Sequence, residues 1–182
     1  MTQVYKCRHS IEADRPEIDF RNAGNVKNDW LRVGELHDGL RPLAHYPANV
    51  IVSVRHADAT HWDCYSVPGT RGLFSERFIQ AVGNDGFRGM SLLPAKLNKA
   101  TYFFLRCDQR VDCFDRENSE FDTYPDEPEQ IMDIPHYAFR EDCLPKDCFF
   151  CIPEDQNLLL TESMAIRLNA AGLKGIRLLP LP

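Results

Sequence analysis

The sequence predicts an α+β fold: a mixed sheet with two pseudo-repeated strand–helix–strand units and an antiparallel hairpin. Three observations predict it. Short β-branched or aromatic runs recur along the chain, as in VIVSV, TYFFLRC and FFCI. Two helical stripes of apolar residues are each followed by glycines and a strand-like run. Finally, the segments 72–95 and 158–181 align without a gap at an offset of 86 residues. A length of 182 residues suits one domain spanning 1–182, with a core large enough to need no staples. Hydrophobic residues at 43% and charged residues at 26% argue against wholesale disorder.

The elements follow in order. Residues 1–48 are the least periodic part. TQVYKCR reads as an opening strand, and Trp30, Leu31, Val33 and Leu36 as a helical turn or an extended edge. His37-Asp38-Gly39 and Arg41-Pro42 are turn signals that close this part. The run Val50 to Val54 is β-branched and predicts a strand, and His61 to Val67 predicts a second. With the first strand running on through Arg55 and His56 (ANVIVSVRH), only Ala57 to Thr60 separate the two, so the simplest connection is a hairpin, ended by Pro68-Gly69. Further strands are expected at Tyr102 to Cys107 and at Phe149 to Ile152.

The repeat carries most of the architecture. Leu73, Glu76, Gly86, Gly89, Leu92, Leu93 and Pro94 recur as Leu159, Glu162, Gly172, Gly175, Leu178, Leu179 and Pro180. Phe74, Phe78, Ile79 and Val82 map onto Leu160, Met164, Ala165 and Leu168 and give each helix one buried stripe. Ser75 and Thr161 are N-cap candidates, and Glu76 and Glu162 place negative charge at the positive end of the helix dipole. Gly86 and Gly172 suit the left-handed residue that stops a helix, and each closing proline ends strand pairing. Helix-stop grammar alone would account for the caps and glycines. The matched Leu-Leu-Pro endings are not demanded by it and point to duplication.

Charge and composition narrow the function. With 21 Lys and Arg against 27 Asp and Glu, the formal net charge is −6, which disfavours nucleic acid and favours a basic protein partner. No run reaches the length of a membrane span, and MTQVYKCRHSIEADRPEIDF lacks the apolar core of a signal peptide, so the cytoplasm is the expected compartment. The seven cysteines are odd in number, and Cys7, Cys64, Cys107 and Cys113 sit singly among strand residues, as small apolar side chains do. Cys148-Phe149-Phe150-Cys151 has C-x-x-C spacing, with Cys143 upstream. Its spacer favours a strand, however, which would point the two sulfurs to opposite faces rather than at one zinc ion.

Two constellations remain. In the expected hairpin His56 and His61 would be cross-strand partners, and with Asp58 and Asp63 they form the alternative reading, a metal-dependent enzyme. No metal or other cofactor is otherwise expected. His9, His37, His45 and His136 stand alone, and no nucleophile elbow, P-loop or dinucleotide fingerprint is present.

The other constellation is the segment Val111 to Pro135. It holds nine acids (Asp112, Asp115, Glu117, Glu120, Asp122, Asp126, Glu127, Glu129 and Asp133) against the single base Arg116, a local charge of −8. Pro125 and Pro128 exclude a helix or a central strand there. It reads either as a solvated connecting loop or as a recognition surface, in which Phe121 and Tyr124 interleave with Asp122, Asp126, Glu127 and Glu129 as aromatic anchors ringed by charge.

The stretch from Gly72 to Asp122 resembles a family of bacterial immunity proteins from polymorphic toxin systems. The likeness lies in the Ser-Glu-Arg-Phe helix start, the Gly-x-x-Gly stop and the Leu-Pro strand ending. It extends to a Tyr-Phe-rich strand and to the segment Val111, Asp112, Asp115, Arg116 and Ser119. The ending TESMAIRLNAAGLKGIRLLPL is similar to the family's C-terminal helix and strand, so the resemblance covers roughly residues 50–182. It implies a non-enzymatic protein that neutralises a cognate toxin by direct binding, and it supplies no catalytic residues. A general interaction or regulatory module with no toxin is the other binding reading.

Overall fold

The computed structural model describes residues 2–9, 18–22, 42–43, 46, 50–54, 62–67, 70–97 and 99–182. In chain order it contains β1 (Val4–His9), β2 (Ile18–Asn22), β3 (Val50–Val54), β4 (Cys64–Tyr65), β5 (Leu73–Ser75), helix α1 (Glu76–Val82), a 3₁₀ turn (Asn84–Phe87), β6 (Met90–Leu97) and β7 (Ala100–Cys107). There follow β8 (Glu120–Tyr124), β9 (Glu127–His136), β10 (Phe149–Ile152), β11 (Asp155–Thr161), helix α2 (Glu162–Ala170) and β12 (Ile176–Pro180). The class is α+β. Among the described residues the strands form a six-stranded mixed sheet, β2-β3-β6-β7-β5-β4, a four-stranded antiparallel sheet, β10-β11-β1-β12, and the two-stranded β8-β9. No helix among these residues is long and apolar enough to cross a membrane.

Both aligned segments are strand–helix–strand, and in each the two strands flank a third that runs antiparallel to both. Leu73 and Leu93 lie on either side of Phe104, Phe74 and Pro94 on either side of Phe103, and Ser75 and Ala95 on either side of Tyr102. In the other sheet Leu159 and Leu179 flank Lys6, and Leu160 and Pro180 flank Tyr5. Thr161 lies opposite Val4, whose carbonyl accepts the Leu181 N–H at 2.9 Å. Each of the six flanking residues named in the first sheet thus has one 86 positions on in the second. Of the outer neighbours, β4 pairs Cys64 with Phe74 and Tyr65 with Leu73, while β10, 85 positions on, pairs Phe149 with Leu160 and Phe150 with Leu159. The middle strand differs in chain order, being β7, which follows β6, in one sheet and the N-terminal β1 in the other.

The two sheets share one core. Phe74, Phe78, Val82, Leu105 and Cys107 from the first segment pack with Cys7, Phe149, Leu160, Met164 and Leu168 from the second. The far face of the six-stranded sheet carries a separate cluster with Val52, Tyr65, Leu73 and Phe104. The far face of the four-stranded sheet is covered by the chain between β7 and β10, through Cys113, Phe114, Ile134 and Tyr137. Cys7, Cys64, Cys107 and Cys113 are all buried in these clusters, as small apolar side chains would be.

Three expectations need correction. The first is the hairpin between the strand at Val50 and the one at Cys64. β3 lies between β2 and β6, pairing with β6 in parallel, while β4 is the opposite edge of the same sheet. Short sequence separation favours a hairpin only when both strands have a free edge to offer; both edges of β3 are taken, and β4 finds β5. The second is Gly86. It lies inside the 3₁₀ turn, and α1 stops three residues earlier at Gly83, whose φ of 74° is open to glycine and whose N–H bonds the Ile79 carbonyl. A Cβ on Gly86 would come 2.5 Å from Val82 Cγ1 and 2.7 Å from Met164 Cε, so glycine is there to let α1 and α2 approach. Gly172 does take the left-handed stop, with φ 58°. The third is Thr161: it occupies the N-cap position of α2 without a side-chain cap bond, whereas Ser75 Oγ accepts the Phe78 N–H at 3.1 Å. The elements expected over residues 30–41 lie outside the described residues.

Substituting Gly86→Ala should therefore destabilise the fold by about 1–3 kcal/mol through overpacking at the helix contact. Urea denaturation checks this, and an unchanged midpoint would show that the contact has slack.

Candidate functional site

The acidic segment is where the structure departs most from a plain loop. Tyr124 and Glu127 pair across a two-residue turn, Pro125-Asp126, and the chain runs as a β-hairpin instead of an irregular connection. Pro128 is accommodated because β9 pairs on one edge only, so a missing N–H costs no ladder bond on the other. The strands are unequal in length, and the register shifts between Glu120 and Asp122 and again on either side of Thr123. These irregularities leave extra β9 residues unpaired and raise the twist.

The family-like motif builds the hairpin's base. Val111 N–H donates to the Cys151 carbonyl at 2.7 Å, fixing the segment to β10. Asp112 accepts Arg140 Nη2 at 3.0 Å. Asp115 Oδ1 accepts the backbone amides of Glu117 and Asn118 at 3.2 and 3.3 Å, and its Oδ2 accepts Asn118 Nδ2 at 2.8 Å. The Asn118 side chain, followed by those amides, holds the Asp115 carboxyl below its ordinary range. Ser119 Oγ donates to the Asp115 carbonyl at 2.6 Å and accepts the Ala138 N–H at 2.9 Å, tying the start of β8 to the end of β9. Arg116 lies over the Phe121 ring, its guanidinium carbon 5.7 Å from the centroid. Each motif residue thus has a structural task in holding the hairpin out from the body.

The expected recognition residues divide accordingly. Phe121 turns inward, its ring 6.1 Å from that of Phe114, and helps anchor the hairpin with Ile134 and Tyr137. Tyr124 is exposed (43%), as are Asp122, Asp126, Glu127 and Glu129. Met132, which sequence reasoning did not single out, is exposed too (53%). Asp122 stands directly opposite Asp133 across the two strands. Like charges in that position repel each other, so the pair is a local conflict.

Beside the hairpin lies an open groove of about 850 Å³, whose walls include Tyr124, Met132, Pro153 and Gln156 and whose lining includes Arg110, Arg116, Glu154 and Asp155. Asp155 is fully engaged. It accepts Tyr137 Oη at 2.6 Å and Asn157 N and Nδ2 at 2.9 and 2.5 Å, and it faces Lys6 Nζ at 3.7 Å. Burial alone would raise its pKa, but these partners outweigh it and hold the carboxyl below its ordinary value. Glu154 and Asp155 read in the sequence only as the polar turn between two strands. Nothing in their spacing distinguishes a saturated carboxylate from an unsaturated one.

Of the alternative metal set, His56, Asp58 and His61 lie outside the described residues. Asp63 is buried and committed elsewhere: its carboxylate accepts Ser75 Oγ and Arg77 Nη1, both at 2.8 Å, and the Lys174 N–H at 2.9 Å. Among the described residues no three His, Cys, Asp or Glu side chains gather as metal ligands would. Cys148 and Cys151 are both buried, and Cys148 precedes β10 while Cys151 lies in it. The Cys107 thiol is drawn down to about 7, first by a hydrogen bond from Cys151 and then, against the effect of burial, by Arg71.

No protein-family model matches the chain, and no curated protein matches its sequence.

Two outcomes follow. Asp63→Ala should cost about 1–3 kcal/mol, because it strips the Ser75 hydroxyl, the half-exposed Arg77 guanidinium and the part-buried Lys174 N–H of their acceptor; urea unfolding measures it, with Asp63→Asn losing less. The depressed Asp155 pKa implies stability that is present above the ordinary carboxylate value of 3.8 and lost as pH falls through the lower, folded one. Asp155→Asn should flatten the decline of the urea midpoint with acidification in that range. An unaltered slope would assign the decline to other carboxylates.

Proposed function

We propose that this protein is a non-enzymatic immunity protein that acts in the cytoplasm and neutralises a cognate toxin by binding it directly, with the acidic hairpin as the contact surface. The observation that carries the reading is the exposed ribbon β8–β9. It is rigidly based, rich in acids, and keeps Asp122 facing Asp133 where a neutral pair would be more stable. A positively charged partner surface relieves that repulsion on docking. Tyr124 and Met132 supply apolar contact within the charged field. An acidic inhibitor suits a basic toxin, such as one that acts on nucleic acid, since complementary charge accelerates encounter. The resemblance to immunity proteins supports the same reading, and one of the motifs that carry it, Val111, Asp112, Asp115, Arg116 and Ser119, forms the base of the hairpin.

We infer further that the two strand–helix–strand segments arose by duplication. What supports this is the offset of 86, which holds in sequence and also in the register of both flanking strands, while their outer neighbours pair at equivalent places with an offset of 85. The displaced helix stop at Gly86 is the main departure from it.

Co-purification with the product of the adjacent gene, at low and high salt, tests the function. A stoichiometric complex that also suppresses that product's toxicity is the expected result. Reversing Asp122, Asp126 and Glu127 to lysine should weaken the complex at least about tenfold and reduce its salt dependence. Unchanged affinity would place the interface elsewhere.

A further inference from the structure

We propose that the groove beside the hairpin receives a cationic side chain, an arginine or lysine, from a basic protein partner, with Glu154 as the carboxylate that binds it. This rests on the reading of the protein as a binder and names the chemistry of one contact.

The starting observation is an unsatisfied acid. The Glu154 side chain is only 10% exposed, and its Oε2 is buried with no hydrogen-bond partner. Its Oε1 has Arg116 Nε at 3.6 Å, beyond hydrogen-bond length. An ionised carboxylate has about four acceptor positions, and burying it with none of them properly used is unfavourable unless a donor arrives. The adjacent Asp155, in the same groove, is saturated by Tyr137, Asn157 and Lys6. The vacancy is therefore specific to Glu154 and does not reflect how acids are treated in this turn generally.

The local cations do not fill it. The Arg116 guanidinium is drawn over the Phe121 ring, and Arg110 Nη1 donates to the Ile152 carbonyl at 3.1 Å. With both arginines committed, the groove's unmet demand is for a donor, not for an anion. The walls fit a cation as well. Tyr124 presents an exposed aromatic ring and Glu129 a second carboxylate, while the hairpin's excess of acids concentrates positive charge nearby. A guanidinium fits most fully, because it can bond a carboxylate through two donors while stacking on a ring.

The test uses the full chain and small amides, without any toxin. N-acetyl-arginine amide, N-acetyl-lysine amide and the neutral N-acetyl-citrulline amide are titrated while backbone amide NMR shifts are followed. A cationic amide should give saturable shifts centred on Glu154, Asp155 and Gln156, with a dissociation constant on the order of a few millimolar. Citrulline should bind at least about tenfold more weakly, and Glu154→Gln should weaken the cation by a similar factor. Tyr124→Ala, at an exposed position, should weaken it several-fold and keeps the test valid if Glu154→Gln disturbs the fold. Absence of saturable shifts with both cations, an equal response to citrulline, or wild-type binding by both variants would overturn the proposal. Such a failure, alongside a toxin complex weakened by hairpin charge reversal, would leave the binder reading standing. The converse pattern would remove the toxin reading and keep the pocket.

Discussion

The C-terminal end of each helix is capped by an arginine from the other helix. Arg77, in the first turn of α1, donates to the carbonyls of Ala171 and Gly172 at 2.6 and 3.1 Å, just past the end of α2. Arg167, in the last turns of α2, donates to the Val82 carbonyl at 2.8 Å, at the end of α1. Each guanidinium is oriented by an aspartate lying just before the outermost strand of a sheet: Asp63, ahead of β4, bonds Arg77, and Asp147, ahead of β10, bonds Arg167. The last carbonyls of a helix have no partner within it and carry the negative end of its dipole, so a fixed cation is well placed there. Because the cations are exchanged between segments, the two helices hold each other in position, and with them the two sheets that close over the shared core. Gly86 lies at the same contact, where a Cβ would meet Val82 of α1 and Met164 of α2.

That arrangement explains where the hairpin stands. Fixing the four-stranded sheet puts Cys151 and Ile152 in place, and these accept Val111 N–H and Arg110 Nη1, from which the acidic segment departs. The segment then folds over the outer face of that sheet through Phe114, Phe121, Ile134 and Tyr137. Its apolar side is used to stay attached, and its acidic side is left to solvent. Asp115, Ser119 and Arg140 supply the polar fastening, so the ribbon does not depend for its stability on cross-strand pairs within β8–β9.

How much of this could be read from the sequence depended on whether the cause was local. β3 and β10 begin and end where their β-branched and aromatic runs do, because burial of such a run is nearly independent of what it pairs with. The caps and apolar stripes of α1 and α2 were legible for the same reason, with Thr161 the exception because its hydroxyl lies 3.3 Å from that of Ser163 instead of capping the helix. Pairing was not legible. β3 and β4 are near in sequence and yet at different positions in one sheet, since a strand's neighbours are set by the topology of the whole chain. Gly86 was misread because a glycine required for close approach and one required for a left-handed turn look alike in a string of letters. At the site, the exposure of Asp122, Asp126, Glu127 and Glu129 followed from charge density. The inward turn of Phe121 and the vacancy at Glu154 did not, since each is decided by partners brought from distant strands.

The hairpin's charges are informative when set beside the way other acids of the chain are held. Asp63 and Asp155 are met by several donors each, whereas Glu154 Oε2 and Asp147 Oδ1 are buried without a hydrogen bond. Asp122 opposite Asp133 and the buried Glu154 oxygen without a donor lie in one ribbon and its adjoining groove, and stability alone calls for neither. Both departures have the same sign: each is an excess of negative charge that a cation would relieve. Their proximity, on a ribbon fastened by its apolar side and in the groove beside it, is what makes this part of the described surface the place to look for a basic partner.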